Sequence, residues 1–341
     1  MRAIDNRKYK VVPIGITKEG RWLVSGDPIK LLRDTSSSEA PSMTAVVADP
    51  TQRGLIALEA SSQPIAQRFD LIIPMLHGTF GEDGTVQGLL EMAGVPYVGA
   101  GVLGSALGMD KVVMKVMFRA RGLPVVDFVE IRGRDWERNP DLVLQRIEAS
   151  IGYPCFVKPA NLGSSVGISK VTRREDLGPA LDLAGQYDRK LIVEDAAEDC
   201  REIECAVLGN DDPQASVPGE VVPKNEFYDY EAKYADDRTE LIIPASLPTE
   251  VAEEVRRLAI EAFKAIDCAG MARVDFFVDR RNLRVLVNEI NTIPGFTEVS
   301  MYPKLWEASG VGYTELIDRL IGLAMERHAE RSRLRTTYDR P

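Results

Sequence analysis

Residues 69–76 (FDLIIPML) are apolar almost without a break, and this run restricts the fold more than any other part of the chain. It is far too short to cross a bilayer. With no polar residues at alternate positions it has no face to give to water, which fits a parallel strand covered on both sides by helices. Residues 10–17 (KVVPIGIT) read as a companion strand. A helical pattern continues through 88–93, and a short strand is expected at Tyr97 and Val98. The front of the chain is therefore expected to be an α/β domain built on a parallel sheet. Residues 105–121 follow as one amphipathic helix, stopped by Gly122 with Pro124 beyond it.

The pattern then changes. A strand at 154–158 runs into the Gly/Ser-rich stretch 163–170, whose β-like ending (ISKV) predicts a hairpin. Strands at 191–194 and 203–208 precede a polar, Tyr-rich stretch at 222–237. A long helix fits 248–266, strands fit 272–278 and 283–290 around a turn at 279–282, and a last helix covers 313–330. The back of the chain thus reads as two α+β parts rich in antiparallel hairpins, with boundaries set at 1–100, 101–192 and 193–341.

Composition excludes several classes. With 341 residues the chain can bury two or three cores. A net charge of −10 disfavours nucleic acid as a partner. No apolar stretch spans a membrane and the first twenty residues lack a signal-peptide core, so a cytoplasmic protein is expected. Four cysteines without a CxxC pair read as reduced thiols, and two histidines leave little room for histidine-based metal chemistry.

Two glycine motifs invite assignments that their surroundings oppose. Residues 99–104 (GAGVLG) match GxGxxG, but the preceding strand is too short to open a dinucleotide-binding unit, so a plain strand–helix turn is expected. Residues 163–167 (GSSVG) match the serine-hydrolase elbow, which needs a helix directly after it, whereas a strand is expected here. A Gly/Ser loop between two strands can instead wrap phosphate oxygens, with Lys158 just upstream to supply positive charge. A surface hairpin without a ligand accounts for this segment equally well. No GxxxxGK[ST] sequence occurs.

The period of a strand puts Arg273 and Asp275 on one face, and likewise Glu289 and Asn291. If the turn between them closes a hairpin, Asp275, Glu289 and Asn291 converge into an oxygen-rich site suited to Mg²⁺ and phosphate. A solvated polar face is the alternative for either strand alone.

At this point the chain resembles the D-alanine–D-alanine ligase family of the ATP-grasp fold. The resemblance rests on six blocks in order, namely HGTFGEDG at 77–84, MDK at 109–111, FVKPANLGSSVGISK at 156–170, REIECAVLG at 201–209, EFYDYEAKY at 226–234, and 273–295. It implies ATP-dependent ligation of two D-alanine molecules through an acyl phosphate, for peptidoglycan precursors, by a cytoplasmic homodimer. It further implies that Lys111 and Lys158 hold the ATP phosphates beneath a loop of Ser164, Ser165 and Val166. Glu194 and Glu202 are expected to meet adenine and ribose, while Asp275, Glu289 and Asn291 ligate two Mg²⁺ ions, with Mn²⁺ as an alternative. Arg273 and the Gly295 N–H are expected at the oxyanion, His77 near the first D-alanine, and Ser300 at the carboxylate of the second. Ser164, Lys233 and Tyr234 are expected to help close the site, and Tyr234 favours an amine acceptor.

There are two departures from the family pattern. Asp195 stands where many relatives carry a lysine near adenine. The opening strand and glycine-rich turn are missing too, on the order of 20–30 residues, so the native protein is expected to begin upstream. The competing readings are a truncated ATP-binding paralogue of weak activity and another ATP-grasp carboxylate–amine ligase.

Overall fold

A computed structural model of the chain describes residues 3–24, 42–51, 54–57, 67–163, 166–222 and 240–335. They form two compact units, one of Met1–Ile73, Gln87–Val98 and Ile317–Pro341, the other of Pro74–Val86 and Gly99–Leu316.

In the first unit, strands β1 (Ile14–Ile16), β2 (Trp22–Val24), β3 (Ser42–Val46), β4 (Gly54–Ala57) and β5 (Gln67–Arg68) pair in sequence order. Every neighbouring pair is antiparallel. For these five strands this corrects the expected parallel pairing. The link from β1 to β2 is a tight turn, with Gly20 at φ +83° and its N–H on the Thr17 carbonyl at 2.9 Å, and so short a connection can only turn the chain back on itself. Among the described residues the apolar run at 69–76 makes just one parallel bridge, Ile72 to Tyr97, with helix α1 (Thr85–Met92) in the connection between them. Pro74 has no N–H to continue that ladder. The last helix, α9 (Tyr313–Ser332), contributes Arg327, whose guanidinium lies 4.6 Å from the centre of the Tyr97 ring and donates to the Tyr97 carbonyl.

The second unit holds two antiparallel sheets. One has the order β6 (Phe128–Arg132), β9 (Lys190–Asp195), β7 (Cys155–Pro159), β8 (Ser169–Val171). A short helix, α4 (Gly133–Arg138), follows β6. Helices α5 (Pro140–Ser150) and α6 (Arg174–Gly185) contribute Ile147, Leu177 and Leu181 to the core of the sheet, against Val129, Val157 and Val193. The other sheet comprises β10 (Cys200–Gly209), β11 (Gln214–Ala215), β12 (Gly219–Val222), β13 (Glu240–Ile242), β14 (Gly270–Asp279) and β15 (Val285–Asn291). Its order is β13-β12-β10-β14-β15, with β11 paired to β10. Helix α7 (Thr249–Ala265) lays Val255, Ala259 and Phe263 on Val274, Phe276, Val278, Val287 and Ile290.

The helix expected at 105–121 is two helices, α2 (Val102–Met109) and α3 (Lys111–Ala120). Asp110 separates them. Its backbone is extended, and its carboxylate accepts from the N–H groups of Val112 and Val113 at 3.1 Å, so one residue ends the first helix and caps the second. The two glycine motifs resolve as their flanks require. Gly101 precedes α2 directly, and the 163–167 segment leads into β8, a strand.

Strand β14 starts at Gly270, whose φ is +74° and where an added Cβ would lie 3.0 Å from the Gly99 nitrogen. Gly270→Ala is expected to cost about 1–3 kcal/mol through the strained backbone alone, with the steric clash adding to it. A shift of the urea midpoint at unchanged m-value checks this.

Candidate active site

The site begins with the alternation of β14. Val274, Phe276 and Val278 enter the core, so Arg273, Asp275 and Phe277 lie on the opposite face. On β10, Ile203, Cys205 and Val207 take the core positions, which leaves Glu202 and Glu204 on the face of Asp275. The register sets Glu204 opposite Asp275 on one side and Glu289 opposite it on the other. Arg273 faces Asn291 across the same pair of strands.

Simple alternation along β15 would have placed Glu289 in the core with Val285 and Val287. A bulge prevents this. Asp275 pairs with Glu289 while Phe276 pairs with Val287, so Asn288 has no residue opposite it. The extra residue shifts the phase, and the next core position is Ile290. Glu289 and Asn291 therefore lie on the face of Arg273 and Asp275, as their spacing in the sequence suggests.

Three carboxylates in a row across neighbouring strands repel one another unless cations intervene. Arg273 supplies one. Its Nε and Nη2 donate to the two Asp275 oxygens at 2.7 Å each, and Nε lies 3.0 Å from Glu204 Oε2. Burial would lower the arginine's pKa, but Asp275 and Glu204 outweigh it and raise it well above its ordinary value. Lys111 supplies a second cation, 3.8 Å from Glu289. Glu204 was not singled out from the sequence, although its spacing of two from Glu202 was available as a signal.

A lysine cluster faces this row. The first residue of α3, Lys111, is anchored through its N–H to the Ala160 carbonyl (3.0 Å) and through Nζ to the Leu162 carbonyl (2.8 Å). Asp110 pairs with Lys190 on β9, and Asn161 bridges Asp110 and Asp188, which fixes the helix start to the base of the 163–167 loop. Lys158 of β7 reaches Glu194 of β9 at 2.6 Å. One turn beyond Lys111, Lys115 approaches the other Glu194 oxygen at 3.3 Å. Glu194 is only 2% exposed. Burial would push its pKa up, yet Lys115 and Lys158 outweigh burial and bring it down to about 2.

At the edge of these groups, His77 Nδ1 lies 3.9 Å from Glu82, and Glu82 accepts the Gly78 N–H. A side chain on Gly163 would come within 3.8 Å of the same carboxylate, so the His77 segment and the Gly/Ser loop are neighbours. Gly295 and Ser300 are also close, since a Cβ on Gly295 would meet Ser300 Oγ at 3.1 Å. Ser300 Oγ accepts from the Thr297 N–H at 3.0 Å, just before helix α8 (Met301–Ala308). Val166 is half-buried at the exit of the Gly/Ser loop, and Glu202 sits on β10. Ser164, Ser165, Lys233 and Tyr234 lie outside the described residues.

The donor chemistry at Asp275, Glu289 and Asn291 fits a hard divalent cation. Two carboxylates face each other with an amide oxygen beside them, and there is no sulfur or imidazole among the three. Asn291 Oδ1 accepts the Ile293 N–H at 3.1 Å, which holds its oxygen in place. Among the described residues no group of three or more His, Cys, Asp or Glu side chains could hold a metal ion.

Two antiparallel sheets, one presenting lysines and the other a carboxylate row, define an ATP-grasp enzyme. Family models described as D-ala D-ala ligase N-terminus and D-ala D-ala ligase C-terminus match residues 1–100 and 117–322, and the chain belongs to the D-alanine–D-alanine ligase family. A curated D-alanine–D-alanine ligase of Thermoanaerobacter sp. (strain X514) is 53% identical over 97% of this chain and 91% of that protein. One from Geobacillus thermodenitrificans is 51% identical over 100% and 93%. Among solved structures, the D-alanine-D-alanine ligase from Coxiella burnetii matches with TM-score 0.83 and 39% identity, covering 97% of this chain and 88% of that one. The VanG D-Ala:D-Ser ligase from Enterococcus faecalis matches with TM-score 0.84 and 35% identity, covering 95% and 92%.

Glu194→Gln would leave Lys115 and Lys158 buried without their counter-charge, and is expected to cost about 3–5 kcal/mol in urea unfolding. The carboxyl's pKa is depressed by folding, so the stability it contributes is complete above its unfolded value of 4.5 and is lost as pH falls towards about 2. The wild-type stability curve is expected to fall through that window, and that of Glu194→Gln to fall less.

Proposed function

We propose that this chain joins two D-alanine molecules, at the expense of ATP, into D-alanyl-D-alanine for peptidoglycan precursors. The observation that carries the reading is the Glu204–Asp275–Glu289 row with Arg273 inside it, met at Glu289 by Lys111 of α3, with Lys158 of the other sheet close by on Glu194.

In this reading Lys111 and Lys158 neutralise the ATP phosphates under Ser164, Ser165 and Val166, while Glu194 and Glu202 meet adenine and ribose. Asp275, Glu289 and Asn291 would hold two Mg²⁺ ions, or Mn²⁺, which supply further positive charge to the phosphates when bound. His77 lies near the first D-alanine. Its carboxylate oxygen attacks the γ-phosphorus, ADP leaves, and an acyl phosphate forms. Ser300 receives the carboxylate of the second D-alanine, whose amine attacks the acyl carbon. Arg273 and the Gly295 N–H stabilise the oxyanion that develops there. Phosphate leaves as HPO₄²⁻, carrying the proton that the amine gives up, and the peptide bond remains. Ser164, Lys233 and Tyr234 keep water from the acyl phosphate. The division into a substrate domain at 1–100 and two ATP-grasp parts at 101–192 and 193–341 belongs to the same reading, as do a homodimeric state and a cytoplasmic location. Among the described residues no helix is long and apolar enough to cross a membrane.

The likeness to VanG, named as a D-Ala:D-Ser ligase, favours D-serine as a second acceptor to be tried. The deciding assay is ADP release with ATP, Mg²⁺ and D-alanine, with and without D-serine, and identification of the product by mass. D-alanyl-D-alanine as the main product is expected, and a chain that forms no dipeptide from either acceptor would overturn the proposal. Arg273→Met is expected to lower kcat by about 100-fold or more through loss of charge at the oxyanion, measured in the same assay.

A further inference from the structure

Lys115 has no part in the reaction outlined above, yet it is the most thoroughly buried ammonium described, at 1% exposure. Burial lowers its pKa against the pull of Glu194. A lysine is normally kept so far from water only where it meets groups that need it. Lys115 meets two. Its Nζ donates to the carbonyl of Asn288 at 2.9 Å and lies 3.3 Å from Glu194 Oε1.

Asn288 is the bulged residue of β15, the one with no partner across the strand. The same bulge puts Glu289 and Asn291 on the face of Asp275. Glu194 has Lys158 at 2.6 Å as its other cation. If Lys158 turns towards a phosphate, a buried carboxylate without a second cation would be left uncompensated. Lys115 already stands in contact with it.

We propose that Lys115 is a positioning residue that holds the β15 bulge in phase and keeps Glu194 neutralised while Lys158 serves a nucleotide phosphate. One ammonium thereby ties the register of the candidate metal ligands to the charge balance of the nucleotide pocket. The inference rests on the proposed function, and it assigns Lys115 no contact with substrate.

The test compares Lys115→Met and Lys115→Gln with a core control, Ile147→Val, on helix α5 where it packs against the sheet of β6 to β9. Mg²⁺–ADP binding is measured by calorimetry without D-alanine, so that it needs no turnover. The Mg²⁺ concentration for half-maximal activity and the KM for D-alanine are measured in the full reaction. Both Lys115 variants are expected to bind ADP about tenfold more weakly and to need more Mg²⁺, as loss of a charge-assisted hydrogen bond implies, while the KM for D-alanine stays within about twofold. Adding Glu194→Gln should shrink the effect of Lys115→Met on ADP affinity, because the two groups act together. Stability losses like that of the control, with ADP affinity and Mg²⁺ demand unchanged, would overturn the inference. So would fully additive effects. A wild-type chain that binds ADP but makes no dipeptide would instead defeat the proposed function, and the calorimetric comparison would still decide the role of Lys115.

Discussion

A carboxylate closed off from water stays ionised only if cations or hydrogen-bond donors meet its oxygens, and the second unit meets that requirement with two lysines at Glu194. Its two oxygens take Lys158 from the neighbouring strand and Lys115 from α3, so the helix and the four-stranded sheet are tied by charge as well as by apolar contact. The start of α3 is set independently, by Asp110 acting as a cap and as the partner of Lys190. Lys111 then has one available position, between the Leu162 carbonyl and Glu289. Lys111 and Lys115 are therefore placed by where one helix is broken, and Lys158 joins them from β7. No Gly-rich nucleotide fingerprint is needed to build this cluster.

Much of this site was legible in the sequence alone. Period two put Arg273 with Asp275 and Glu289 with Asn291, and the turn between the strands implied that they meet. The bulge at Asn288 was not legible, because it is a property of two paired strands and appears only in their register. Glu204 and Lys115 escaped notice for a different reason. Each carries a charge in a segment dense with charges, and only the packing shows which of these are taken out of water. Lys111 and Lys115 share a helix face four residues apart, so the pattern was visible while its meaning was not.

The front of the chain shows the limit of reading hydrophobicity alone. The run at 69–76 asked for burial, and it makes its one parallel bridge at Ile72, but burial does not specify a partner. The short turn after β1 and the proline within the run decided the pairing, and both favour antiparallel neighbours or none. The glycine motifs carry the same lesson. The element next in the chain, a helix after Gly101 and a strand after Gly167, determines the chemistry of each motif more than the spacing of its glycines does.

The bulge gives β15 something like a reading frame. Residues upstream of Asn288 are in one phase with the core and those downstream in the other. Lengthening the turn at 280–284 alters neither phase. Removing Asn288 would take out the bulge and restore simple alternation, leaving Ile290 in the core and Glu289 and Asn291 on the polar face. Removing Leu286 with the bulge in place would instead turn Val285 to the polar side and bring Arg284 to a core position. Tolerance to a change of length along this hairpin should therefore be sharply uneven, generous in its loop and close to nil in the regular stretch at 285–287. The turn can change in length without moving a single side chain to the wrong face, while the regular strand beside it admits substitutions but not shifts.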